Sequence, residues 1–402
     1  MTNTNPVANL DSVKQYNLMR LFRIIVEYGL ISRTQLVEVS DLAAGSVTKL
    51  TRLLIEQNLV HEVAQQQSER GRKAVLLAPK TDDIQILAAR ADRQHLYVGL
   101  CDLSGNLLQR EAEPLNADNE DEFVAQLTRS LRHFLTTHAD QVRNVVGIGV
   151  TMPGLVDANR GIVNFMPHVP VHELPLADII TDALEMPCYI NSFASAMALA
   201  EKQIGASFHA RNSVFIEVHN GVGAGIILNN ELYSGTGVGE IGHIQIDRLG
   251  KPCICGNYGC LETEVSDSAI VEHFNQRQAL QSVDTERAET IQDVLQAAGE
   301  LNENALAVLK EAAAHIGTAM ATVANLFRPD SIILAGAVTQ AWSLIHPVLE
   351  QQLKTKSLQV RGLKPIELLR SDIYDSPWYS GYALVRQGLL EGDIFHTLFT
   401  DD

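Results

Sequence analysis

Apolar positions in the first eighty residues recur three times with helical spacing and then alternate. Between Asp11 and Tyr28 the residues Val13, Leu18, Leu21, Phe22, Ile25 and Val26 share one helical face, and Gly29 ends the run, which predicts a first helix. Ser32 is placed to cap a second helix from Arg33 to about Val39. After a short link at Asp41, a third is predicted from about Gly45 to Gln57, with Val47, Leu50, Leu54 and Ile55 inward. Leu59 to Ala64 and Ala74 to Ala78 then read as two strands around a polar tip from Gln65 to Arg72, broken at Gly71 and closed by Pro79. Helix, helix-turn-helix and hairpin in that order predict a winged helix over residues 1–80.

From residue 81 the texture changes to alternating strands and helices. Strands are predicted at Ile84 to Ala89 and Leu96 to Leu100, with a turn at Ser104-Gly105. A long helix from about Glu120 to His138 leads into the apolar strand Val145 to Val150 and the turn Thr151-Met152-Pro153-Gly154. The same order returns later, where a helix from Ala305 to Phe327 precedes the strand Ser331 to Ala335 and a turn at Gly336. The pattern predicts an α/β body of two related lobes, over 81–195 and 196–402. The segment Tyr382 to Phe399, with Leu384, Val385, Leu389, Leu390, Ile394 and Leu398, is expected to form helices whose apolar face docks on the body, including back onto the first lobe, or on a partner subunit.

Length and composition agree with this division. The 402 residues are 46% hydrophobic, enough for two or three compact domains. No run of about 18 uncharged apolar residues occurs, and Asn5, Asp11 and Lys14 interrupt the start, so a soluble cytoplasmic protein is expected. The net charge of −17 is unevenly spread: residues 1–80 carry a surplus of three positive charges and the remainder a surplus of twenty negative ones. Only the N-terminal part favours phosphates.

Within that part the third helix carries base- and phosphate-reading donors at Ser46, Thr48, Lys49 and Arg52. Arg33 is placed to hold a phosphate, and Arg70, Arg72 and Lys73 put three cations at or beside the wing. Double-stranded DNA is the expected partner, and the resemblance given below makes it operator DNA. Three of the five cysteines fall within eight residues, Cys253, Cys255 and Cys260, after His243. One imidazole and three thiols make a tetrahedral set selective for Zn²⁺, with no position left for an activated water, so one structural zinc per chain is expected.

These motifs together resemble the ROK family of repressors, open reading frames and sugar kinases. The likeness rests on Glu240-Ile-Gly-His243, on Cys253-Ile-Cys255-Gly-Asn-Tyr-Gly-Cys260-Leu-Glu262, and on the run from Asn325 to Ile333. Ser32-Arg33, Ala44 to Lys49 and Gly71-Arg72 resemble its repressor branch of the Mlc and NagC type. The resemblance implies a winged helix joined to a two-lobed, sugar-kinase-like body of the actin and hexokinase kind.

It also implies what has been lost. The first phosphate loop of the kinases matches Arg90 to Gln94, which has no glycine, and the second matches Gly221-Val222-Gly223, which lacks the hydroxyl. The catalytic base falls on Phe193, which accepts no proton, so no enzymatic activity is expected. Gly154, Glu240, His243 and Glu262 match sugar-pocket positions, whereas Ser192 and Phe193 remove two polar partners and put a ring at the pocket. In this family the effector is either a sugar phosphate or the glucose transporter of the phosphotransferase system. The altered pocket favours sequestration by the transporter, while Met166-Pro167-His168 resembles the type released by an amino-sugar phosphate. A homodimer or homotetramer is expected, because a two-fold operator needs paired recognition helices.

Overall fold

A computed structural model describes residues 10–64, 75–281, 287–360, 362 and 364–398. The N-terminal part begins with α1 (Leu10–Tyr28), β1 (Ile31–Ser32), α2 (Arg33–Ser40) and α3 (Ala44–Glu56). Leu21, Phe22, Ile25, Leu36, Val47 and Leu54 from the three helices are fully buried. The Ser32 hydroxyl accepts from the Gln35 amide while the Gln35 side chain takes the Ser32 amide, a reciprocal cap that fixes the start of α2. Asp41, left-handed at φ 54°, ends it. Strands β2 (Val60–Ala64) and β3 (Val75–Pro79) follow in a three-stranded antiparallel sheet of order β1-β3-β2. The hairpin tip, with Arg70, Gly71, Arg72 and Lys73, lies outside the described residues.

The chain continues through β4 (Gln85–Ala91), β5 (His95–Asp102), β6 (Leu107–Pro114), α4 (Glu120–Thr137) and β7 (Val145–Met152). A hairpin of β8 (Leu155–Asp157) and β9 (Ile162–Phe165) precedes α5 (Leu176–Leu184) and β10 (Cys188–Ser192). The first large sheet has order β10-β7-β4-β5-β6. Its central strand β4 is buried on both faces except at Arg90, which explains its nearly continuous apolar run.

The second half contributes α6 (Phe193–Ile204), β11 (Ser213–Val218), β12 (Val222–Leu228), β13 (Glu231–Leu232), α7 (Leu261–Val265) and α8 (Asp267–Gln281). Then come α9 (Ile291–Gly299), α10 (Glu303–Phe327), β14 (Ser331–Ala335), α11 (Trp342–Lys356), β15 (Glu367–Arg370) and α12 (Trp378–Glu391). Its sheet has order β13-β12-β11-β14-β15, with β11, β14 and β15 parallel. Val214, Ile216, Ile332 and Leu334 of this sheet pack with Leu309, Ile316 and Met320 of α10 and with Ile345 and Leu349 of α11.

Two compact units result. One comprises Met1–Val150, Leu176–Ile190 and Leu384–Asp402, the other Thr151–Pro175 and Asn191–Ala383. The units therefore cut across the consecutive segments expected at 81–195 and 196–402. The end of the chain belongs to the first unit because its apolar face is used there: Leu384, Val385, Leu389, Leu390, Ile394 and Leu398 are all buried. Phe395 places its ring 5.5 Å from that of Phe22 in α1. No helix among the described residues is long and apolar enough to cross a membrane.

Candidate functional site

The second unit brings His243, Cys253, Cys255 and Cys260 together with all four donor atoms within 4.8 Å of one another. His243 ends a short 3-10 turn, and Cys260 immediately precedes α7. Between them the chain folds as a knuckle, in which the Cys253 amide donates to Asn257 O and the Gly259 amide to Lys251 O. Gly259, at φ 60°, is needed here because a Cβ would lie 1.6 Å from Asp247 O. The Cys255 and Cys260 sulfurs are 3.7 Å apart, and His243 Nδ1 is 3.5 Å from the Cys253 sulfur. A tetrahedral ion with bonds of about 2.3 Å to sulfur and about 2.0 Å to nitrogen requires edges of about 3.8 and 3.5 Å. The cluster thus has the dimensions to hold a metal ion. Burial, followed by the two neighbouring thiols, pushes the Cys260 thiol up, while the Asn257 amide draws Cys255 down. A bound cation would favour the thiolate form at all three sulfurs.

The imidazole has a second face. His243 Nε2 lies 3.9 Å from Glu240 Oε2, and Glu240 lines a cleft with Gly154, Asn191, Ser192, Ser195 and Ser234. Gly154 stands at φ 113° with its Cα against β9, where a Cβ would meet Phe165 O at 2.1 Å. Burial pushes the Glu240 carboxyl up, His243 opposes that and Glu262 adds to it. The cleft is narrow: the space open to the centre of a water is about 10 Å³, roughly one molecule.

Two residues expected at this cleft do not line its narrow space. Glu262 is not among its lining residues; its carboxylate instead accepts from the Val222 amide at 3.1 Å. Phe193 does not line it either. As the first residue of α6 its ring turns inward, 4% exposed, and packs edge-on against Tyr374 with centroids 5.9 Å apart. Asn191, Ser195 and Ser234 carry no distinctive spacing in the sequence, the first two flanking the start of α6 and the third in the loop after β13.

The positions matching the two phosphate loops are filled by the chain's own carboxylates. In the first unit, Asp92 Oδ1 accepts from the Gln94 and His95 amides, both at 2.7 Å, and closes the β4–β5 turn. In the second, Glu262 occupies the amide of the Gly221-Val222-Gly223 turn. An anion that sought these amides would meet a covalently tethered carboxylate at each turn.

On α3, Ser46, Thr48, Lys49 and Arg52 are exposed, whereas Val47, Leu50, Thr51 and Leu54 face inward. The helical repeat thus presents the four candidate DNA-reading side chains together. The Thr48 hydroxyl also donates to Ala44 O at 2.9 Å. Arg33 is more tightly engaged than its sequence position suggests: Nε donates to the Thr51 hydroxyl at 3.1 Å and a terminal nitrogen to Glu62 at 2.8 Å.

Comparison with known proteins accounts for this combination. A family model described as ROK family matches residues 87–386. The DNA-binding transcriptional dual regulator NagC of Escherichia coli (strain K12) is 34% identical over 396 residues, 98% of this chain and 97% of its own. The DNA-binding transcriptional repressor Mlc of the same strain is 30% identical over 400 residues, 98% of each chain. A crystal structure of a ROK family transcriptional regulator, a homolog of the E. coli Mlc protein, matches with a TM-score of 0.88 at 37% identity, covering 96% of this chain and 99% of that one. With the α/β body, the His/Cys knuckle and these matches along nearly its whole length, the chain belongs to the ROK family.

Proposed function

We propose that the protein is a sugar-responsive transcriptional repressor that binds operator DNA through an N-terminal winged helix-turn-helix and has no kinase activity. The observation that carries the reading is the exposed row Ser46, Thr48, Lys49 and Arg52 on the third helix of a three-helix, three-stranded unit, the arrangement that enters a major groove. Arg70, Arg72 and Lys73 are assigned to the wing on sequence alone. The repressor relatives support the reading, and so do the tethered carboxylates at both phosphate-loop positions. Phosphoryl transfer depends on positioning phosphates and on a base, and Phe193 removes the base.

The His243, Cys253, Cys255 and Cys260 set is assigned one structural Zn²⁺, with all four positions taken by protein. When bound, the ion supplies folding energy to the knuckle. His243 would then orient Glu240 through its other nitrogen. The protein acts in the cytoplasm as a homodimer or homotetramer on a two-fold operator.

For control we favour sequestration by the cytoplasmic domain of a phosphotransferase-system glucose transporter, because the cleft at Gly154 and Glu240 has room for little more than a water. Release by an amino-sugar phosphate is the second reading, favoured by the 34% identity to NagC. Selection of fragments from the protein's own genome, with and without sugar phosphates and the transporter domain, tests both. Specific fragments released by one effector identify it, and the absence of any selected fragment at any salt would overturn the repressor reading.

A further inference from the structure

Beside the recognition face of α3 lies an open cleft of about 550 Å³ that runs to the base of β2. Arg33, Arg52 and Lys80 line it with His61, and among the described residues one carboxylate, Glu62, is set with them. Arg52 and His61 are exposed, and the Lys80 ammonium donates to Asn58 at the cleft margin. A concentration of cations on a chain of net charge −17, next to the row that reads DNA, is suited to a phosphate backbone. Glu62 works against that use. It holds the Arg33 guanidinium at 2.8 Å, while the hydroxyl of Thr51, fully buried in α3, accepts from Nε of the same guanidinium.

Carboxylate and phosphate compete for the same planar fork of donors. While Glu62 holds Arg33, the guanidinium is neutralised within the protein and an acidic group faces any phosphate that enters. The two side chains of the pair are 30% and 49% exposed, and a pair so placed contributes little to folding. Its functional consequence is larger, because the affinity of a repressor for nonspecific DNA decides how much of it is free to find its operator.

We propose that Glu62 limits DNA affinity by holding Arg33 away from the phosphate backbone in the cationic cleft between α3 and β2. The proposal rests on the repressor reading and concerns the sequence-independent part of the contact, so a mixed-sequence 30-base-pair duplex serves as the probe.

Binding of wild type, Glu62→Gln and Arg33→Gln/Glu62→Gln to this duplex is measured by fluorescence anisotropy from 50 to 200 mM salt, with circular dichroism to confirm that each variant is folded. Glu62→Gln is expected to bind more tightly at 50 mM. Its plot of log K against log salt should steepen by about 0.9, so that its affinity falls about 3.5-fold more than that of wild type over this range. The double variant should return to the wild-type slope. If the pair merely braces the hairpin, Glu62→Gln binds more weakly with no steeper slope, and the proposal is overturned. It is equally overturned if the steepening survives loss of Arg33. Should wild type bind no DNA at any salt, the repressor reading falls with it; should wild type bind and Glu62→Gln share its slope, only this inference falls.

Discussion

Replacing Cys260 by serine tests the metal assignment at its most confined ligand. Cys260 is fully buried, its sulfur is 3.7 Å from that of Cys255, and it stands directly before α7. The knuckle it closes has little apolar core of its own, since Leu249 and Ile254 are 95% and 86% exposed. A bound ion would therefore do what a core does elsewhere. With free metal about a thousandfold above its dissociation constant, binding stabilises the folded state by about 4 kcal/mol. For a unit of roughly 200 residues, Thr151–Pro175 with Asn191–Ala383, that amounts to about 8–16 °C in unfolding midpoint. Metal analysis by mass spectrometry and thermal unfolding of Cys260→Ser should show loss of one zinc per chain and a fall of this size. Cys188→Ser is the control, a half-buried thiol in the first unit and outside the cluster, and should keep its zinc. Wild type purified without zinc, or Cys260→Ser with a full complement and an unchanged midpoint, would refute the reasoning.

Further outcomes follow from other parts of the molecule. Lys49→Ala and Arg52→Ala should each flatten the salt dependence of DNA binding by about 0.9 in log K against log salt, as measured by anisotropy, and leave thermal stability near wild type because both side chains are exposed. Phe193→Asp should not restore ATP-dependent sugar phosphorylation in a coupled assay, because the turn at Asp92 still lacks a phosphate cradle. Glu201 is fully buried, and burial pushes its carboxyl above 4.5 despite bonds from Ser371 and the Ala206 amide. A raised acid favours folding when protonated, so its contribution is present below the unfolded pKa and is lost as pH rises through the folded one. Glu201→Gln should accordingly gain on wild type in denaturant midpoint at pH 7 and lose that advantage toward pH 4.

The first eighty residues could be read closely because each helix there carries its own signals. Ser32 caps α2 locally, and the inward positions of α3 repeat every three or four residues. The His/Cys knuckle was equally legible as a cluster: three cysteines in eight residues and His243 come together as a group that could hold a metal ion. Shorter elements were harder to see. β8, β9 and β13 are two to four residues long, too short for any period to show.

The amino-acid sequence by itself determined the α/β body, the order of its recurring units, the His/Cys cluster and the exposed face of α3, because local spacing encodes each of these. Tertiary structure alone decided the pairings that join residues far apart in the chain. It put Phe395 against Phe22, seated Glu262 on the Val222 amide, turned Phe193 onto Tyr374 and tied Arg33 to Glu62. A side chain's charge and shape limit what it can bind, but which partner it meets depends on how packed elements bring distant segments together.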